Sequence, residues 1–187
     1  MRVIAGTQKG RQLKAVPGNS TRPTTDKVKE AMFNVIGPYF EGGIGLDLFA
    51  GSGSLGIESL SRGLDSMIFV DRHPKAIETI RDNIRTVKLE ERAEVYRNDA
   101  NRALKAVHKR DLQFSVIFLD PPYEKIKLKP LMETISEMEL VVEGGWIVTE
   151  HPADSDLADL VVDFERLKHE EYNKTTAISI YRRMHSE

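Results

Sequence analysis

The chain has 187 residues, 40% of them hydrophobic and 30% charged, with no cysteine and a net charge of −2. That length supports one domain with a substantial core, and the balance excludes disordered and fibrous classes, while the missing cysteines exclude a disulfide framework, a thiolate nucleophile and a cysteine-based zinc site. No stretch approaches the roughly 18 apolar residues that span a bilayer, and "MRVIAGTQKGRQLK" lacks the apolar core of a signal peptide, so no membrane partner and a cytoplasmic location are expected.

Charge is unevenly spread. Residues 1–40 carry seven Lys or Arg (Arg2, Lys9, Arg11, Lys14, Arg22, Lys27 and Lys29) against Asp26 and Glu30, a balance of +5; the remainder holds 20 against 27, or −7. A basic arm on an acidic body suits a polyanionic partner, although a solvated basic hairpin has the same composition.

The chain opens with "RVIAG" and "RQLKAV" flanking "TQKG", a short hairpin punctuated by Gly6 and Gly10. "PGNSTRPT" is a loop. Val28, Ala31, Met32, Val35 and Ile36 then follow helical spacing, with Gly37-Pro38 as the stop. From residue 44 apolar strands alternate with amphipathic helices: strands at 44–49, 67–70, 94–97, 116–119 and 146–149, and helices at 54–62, 74–87, 101–109 and 128–138. Pro74 suits a first helical turn. "LVVDFERLKHEEY" and "TAISIYRRM" read as two strands joined through Asn173-Lys174. Such alternation predicts an α/β fold, doubly wound around a mostly parallel sheet, with a terminal antiparallel hairpin at the edge. Ligands of such sheets bind beyond the carboxyl ends of the strands.

"LDLFAGSGSLGIESL" sets Gly51, Gly53 and Gly56 in G-x-G-x-x-G spacing between a strand and a helix. The first glycine permits a tight turn, the second close approach of a ligand, and the third close packing of helix on strand. Asp71 ends the next strand, placed to accept hydrogen bonds from ribose hydroxyls or to cap the helix at Pro74. This context points to an adenosine-containing cofactor. Asp47 lies two residues before Phe49, on the same side by strand alternation. A carboxylate there suits the ammonium and sulfonium of S-adenosyl-L-methionine better than the pyrophosphate of NAD. Phe49 either flanks the cofactor or packs, and Asp99 either reaches the adenine amine or caps a helix.

"LDPPYEK" follows the apolar run at 114–118. If the fourth strand neighbours the first, Asp120, Pro121, Pro122 and Tyr123 lie beside the glycine turn. The prolines hold the backbone extended and remove its N–H groups. Asp120 and the Pro121 carbonyl can then accept both N–H bonds of a planar exocyclic amine, with Tyr123 stacked on the base. Such acceptors orient the nitrogen for methyl transfer and stabilise its developing charge. The five histidines show no metal-ligand spacing and read as surface or cap residues, Trp146 reads as core, and Glu150-His151-Pro152, ending the fifth strand, either lines the substrate cleft or, in the simpler reading, is a loop.

"LDLFAGSGSLGIESLSRG", "DPPY" and "RPTTDKVKEAMFN" together resemble the bacterial RsmD-type family, methyltransferases acting on the exocyclic N2 of one guanine in 16S ribosomal RNA. The likeness runs over nearly the whole chain. It implies a seven-stranded Rossmann-like methyltransferase sheet within a single domain over 1–187, and a small basic hairpin-and-loop extension over 1–24 for RNA contact. It further implies S-adenosyl-L-methionine as donor and no metal. The expected substrate is 16S rRNA in the assembled or assembling small ribosomal subunit, with that subunit's proteins as further partners. By the same resemblance Gly51, Gly53, Gly56 and Asp71 hold the cofactor and Asp120 to Tyr123 surround the amine, while Asp47, Phe49 and Asp99 are cofactor candidates from the residue readings above. Arg22, Pro23 and Thr24 lie near the active site, and Arg2, Lys9, Arg11 and Lys14 meet RNA. Adenine-N6 methylation of DNA is the rival within this chemistry, and an NAD-dependent oxidoreductase the rival outside it.

Overall fold

A computed structural model describes residues 1–18, 24–122 and 125–185. Among these are five α-helices, a 3-10 turn at Glu90–Arg92 and eight strands, in a mixed α/β arrangement. The chain divides into two compact units, Met1–Ala103 and Leu104–Glu187.

In the first unit, β1 (Ile44–Asp47), β2 (Ser66–Asp71) and β3 (Ala93–Arg97) pair in parallel in the order β3-β2-β1. Parallel neighbours need crossovers, and helices supply them. The helix α2 (Ser54–Ser61) packs on β1 and β2, and α3 (Pro74–Thr86) packs on β2 and β3. Pro74 occupies the first turn of α3, and Ile77, Ile80, Ile84 and Val87 are buried at the predicted spacing. Burying each such side chain contributes about 1.5–3 kcal/mol.

Ahead of the sheet, α1 (Asp26–Ile36) begins at Thr25, whose hydroxyl accepts the Val28 N–H at 3.3 Å. Its buried face is Lys29, Met32, Phe33 and Ile36, so the predicted stripe is rotated: Ala31 is exposed and a lysine is buried. The N-terminal hairpin is short, with one bridge between Arg2 and Gln12 and the Val3 N–H donating to the Arg11 carbonyl at 3.0 Å.

Helix α4 (Ala100–Lys109) runs across the boundary between the units. In the second unit the order is β4-β5-β8-β7-β6, comprising β4 (Phe114–Leu119), β5 (Val141–Pro152), β6 (Leu160–Val161), β7 (Phe164–Glu171) and β8 (Thr176–Arg183). Helix α5 (Leu128–Glu137) is the crossover between the parallel strands β4 and β5. The two C-terminal strands are antiparallel, as expected, and Asn173 turns the chain by accepting the Thr175 and Thr176 N–H groups at 2.8 Å each. The sheet gains one strand over the predicted seven, the two-residue β6, too short to show a period. β8 is interior, paired on both sides, rather than at an edge.

β5 is three times the predicted length and extends through Glu150-His151-Pro152, so that segment is strand and not loop. Gly144 (φ +72°) lies within it. Trp146 is half-buried beneath Arg182, whose guanidinium stands 5.1 Å from the ring centroid, and is not a core residue. No helix among the described residues is long and apolar enough to cross a membrane.

Candidate functional site

The glycine turn sits at the carboxyl end of β1. That strand ends at Asp47, two residues earlier than predicted, so Phe49 belongs to the turn and strand alternation does not relate the two. Instead the Phe49 N–H donates to Asp47 Oδ1 at 3.1 Å. Asp47 is buried. Loss of hydration pushes its carboxyl up to about 7, the Phe49 hydrogen bond opposes this, and the neighbouring Asp71 charge adds to it. Phe49 itself is half-buried.

Gly51 adopts φ +57° and Gly53 φ +84°, the left-handed region where a side chain is strained. Nothing lies within 4 Å of a Cβ built on Gly51, whereas one on Gly53 would touch Ile80 and Phe69. Gly51 thus faces open space, while Gly53 has ordinary van der Waals neighbours on one side. On Gly56 a Cβ would meet the Phe69 ring at 2.2 Å, which makes it the close-packing glycine, as predicted.

Asp71 ends β2 and joins two neighbours. Its Oδ2 accepts the Gly51 N–H and its Oδ1 the His73 N–H, both at 2.9 Å. Asp71 does not cap α3, whose N-cap is His73 with no side-chain cap hydrogen bond, and each Asp71 oxygen retains a second lone pair for a hydroxyl donor. Asp99 is exposed and accepts the Arg102 N–H at 2.9 Å, the geometry of a cap on α4.

In the second unit, Asp120 and Pro122 are exposed just past the end of β4, while Pro121 is buried. The Pro122 carbonyl is taken by the N–H groups of Lys125 and Ile126 at 2.9 and 3.1 Å, leaving the Pro121 carbonyl as the acceptor of the pair. Tyr123 lies outside the described residues.

The family described as "Conserved hypothetical protein 95" matches residues 1–182. "Putative rRNA methyltransferase YlbH" of Bacillus subtilis is 56% identical over 98% of this chain and 99% of its own length. "Ribosomal RNA small subunit methyltransferase D" of Haemophilus influenzae is 34% identical over 97% of this chain and 92% of its own. Among solved structures, "Putative methyltransferase yhhF from Escherichia coli" has a TM-score of 0.83 at 26% identity, covering 98% of each chain. The chain belongs to the RsmD-type family.

The basic segment of this RsmD-type chain is not a loose arm. Glu58 of α2, fully buried, accepts the Ile4 N–H at 2.9 Å and the Ala5 N–H at 3.1 Å. It also pairs with Lys29 Nζ at 3.4 Å and Arg62 Nε at 2.8 Å, both buried. Burial lowers the Lys29 pKa, with Glu58 opposing the shift. Lys29 further donates to the Arg2 carbonyl at 2.8 Å. Asn83 of α3 holds Lys14 at both ends of its peptide: its Oδ1 accepts the Lys14 N–H at 2.8 Å and its Nδ2 donates to the Lys14 carbonyl at 3.0 Å. The same Nδ2 donates to Ser52 O of the glycine turn at 2.9 Å.

Of the four basic side chains expected to meet RNA, Arg2 pairs with Asp26 at 2.8 Å and Lys14 with Asp82 at 3.8 Å. Lys9 and Arg11 are exposed and have no ion pair among the described residues. Thr24 is half-buried beside the start of α1, and Arg22 and Pro23 lie outside the described residues.

Sequence reasoning did not find Glu58, Asn83 or Tyr172. A helix-borne acid and amide carry no local mark of what the distant N-terminus brings to them. Tyr172 donates to Glu150 Oε1 at 2.5 Å, and burial, Glu150 and the charge of Asp120 together raise its pKa. His151, expected at the surface, is buried. Its Nδ1 lies 2.9 Å from the Pro152 carbonyl, so Nδ1 carries the proton and Nε2 accepts the Ser179 hydroxyl at 2.7 Å. Burial lowers its pKa, making it a neutral peg that fixes the end of β5. Among the described residues no three His, Asp or Glu side chains group as a metal site.

Proposed function

We propose that the chain is a ribosomal RNA (guanine-N2)-methyltransferase using S-adenosyl-L-methionine, acting on 16S rRNA in the assembled or assembling small subunit. The observation that carries the cofactor reading is the acidic glycine turn. Asp47 is buried without a cationic partner among the described residues, and Asp71 adds a second carboxylate beside the open face of Gly51. Such a pair favours a cationic amino-acid end and hydroxyl donors over a pyrophosphate. When bound, the cofactor supplies a methyl group on a sulfonium, the C–S bonding pair staying on sulfur as the acceptor nitrogen bonds to carbon.

The chain's residues do the rest. Asp47 receives positive charge and Asp71 receives ribose hydroxyls. Asp120 and the Pro121 carbonyl accept the amine N–H bonds, directing the nitrogen lone pair out of conjugation with the ring. The surplus proton passes to Asp120 or to water. Tyr123 provides the stacking face. A guanine in a helix must be unstacked to enter, and an rRNA presented in its folded particle supplies that exposure. The small-subunit substrate rests on the names of relatives matched over most of their length.

The test is methylation of small subunits from a strain lacking the enzyme, followed by nucleoside mass spectrometry. N2-methylguanosine is expected, with Asp120→Ala abolishing most turnover while S-adenosylhomocysteine binding persists. Methyladenosine as the product overturns the base assignment.

A further inference from the structure

The DPPY segment serves any exocyclic amine, so it does not choose guanine over adenine. The neighbouring strand β5 carries a second carboxylate. β4 and β5 pair in parallel with Leu119, the last residue of β4, opposite Thr149, so Asp120 leaves β4 beside the position where Glu150 continues β5. Tyr172 links the two: it donates to Glu150 Oε1 at 2.5 Å and feels the charge of Asp120. No hydrogen bond reaches Glu150 Oε2 among the described residues, and the Tyr172 contact holds Glu150 in one rotamer.

Two carboxylates side by side match one base edge. Guanine presents two adjacent donors there, the N1–H and the N2 amine. Adenine presents one donor, its N6 amine, beside the N1 lone pair. Resting on the methyltransferase reading above, we infer that Glu150, oriented by Tyr172, selects guanine by accepting its N1–H while Asp120 holds the adjacent amine. An adenine in the same pose sets its N1 lone pair against the half-buried Glu150 carboxylate, which then has no donor from the base. Glu150 is a specificity residue and Tyr172 its positioning partner.

The experiment uses the full chain and small subunits reconstituted with guanine or 2-aminopurine at the methylated position. 2-Aminopurine keeps the exocyclic amine at C2 but replaces the N1–H with a lone pair. The unaltered chain is expected to prefer guanine in kcat/KM on the order of 10- to 100-fold. Glu150→Gln, whose amide can donate to N1, is expected to bring that ratio near one while S-adenosylhomocysteine affinity stays within about twofold. Tyr172→Phe keeps the ring and the carboxylate but frees its rotamer, and is expected to lower the ratio partway; it decides the matter if the Gln variant does not fold. A base preference unchanged in these variants, with methylation of guanine intact, overturns the inference alone. No methylation of guanine-bearing subunits by the unaltered chain overturns the functional reading with it.

Discussion

At the scale of single residues, Asp47 makes the sharpest claim. Its pKa is raised from the ordinary carboxyl value to about 7 in the folded chain. Between pH 4 and pH 7 the folded state therefore holds a proton that the unfolded state has lost. The stability this contributes is complete below pH 4 and disappears as pH rises through 7. Urea unfolding across that range should show a decline that Asp47→Asn removes, leaving the variant the more stable chain at pH 8. A cationic ligand favours the ionised carboxylate, so affinity for S-adenosylmethionine should rise up to about pH 7 in the unaltered chain and stay flat in the variant. Isothermal titration at several pH values reads this directly, and identical profiles in both chains would remove Asp47 from the site.

Elements are joined less by their apolar faces alone than by a few buried polar contacts. Glu58 on α2 holds α1 through Lys29, its own helix end through Arg62, and the first strand-like turn of the chain through two peptide N–H groups. Replacing it with Gln leaves two cations in the interior without a counter-charge, a loss expected at about 3–5 kcal/mol in chemical denaturation. Asp26→Ala, which removes the exposed partner of Arg2, should cost no more than about 1 kcal/mol. Equal losses would mean that burial does not govern these pairs. The same contrast explains what could be read in advance. Alternation of strand and helix, and the glycine turn between β1 and α2, are local patterns, and the structure keeps both. The face of α1, the end of β1 and the partners of Glu58 depend on residues up to 54 positions apart, which no local period encodes. Asp99, whose sequence fits a cap and a ligand alike, forms the cap geometry.

For the molecule as a whole, a net charge of −2 means that RNA affinity must come from where cations are exposed, not from their total. The excess of +5 over residues 1–40 shrinks once Lys29 is counted as buried against Glu58, and Arg2 and Lys14 as already paired. Lys9 and Arg11, exposed in the hairpin, are then the side chains best able to release counterions from phosphate. Each of Lys9→Ala and Arg11→Ala should reduce the slope of log affinity against log salt by about one, whereas Lys29→Ala should act through stability and leave that slope alone. Filter binding of small subunits at stepped salt distinguishes the two behaviours. Membership of the RsmD-type family, the α/β architecture and the close match to a solved methyltransferase structure set the frame for these differences.

The anchoring of residues 1–14 has a consequence for the ancestry and engineering of such enzymes. A segment that reads RNA is often pictured as an attachment, exchangeable between catalytic bodies as a handle between tools. Here residues 1–14 are a wall of the body, whatever they contact outside it. Removing them would expose the Glu58 carboxylate and the Asn83 amide to solvent and strip the glycine turn of its Asn83-mediated brace to Lys14. Side chains along residues 1–14 can therefore be changed with the backbone kept, whereas grafting another hairpin in its place would lose the contacts to Glu58 and Asn83.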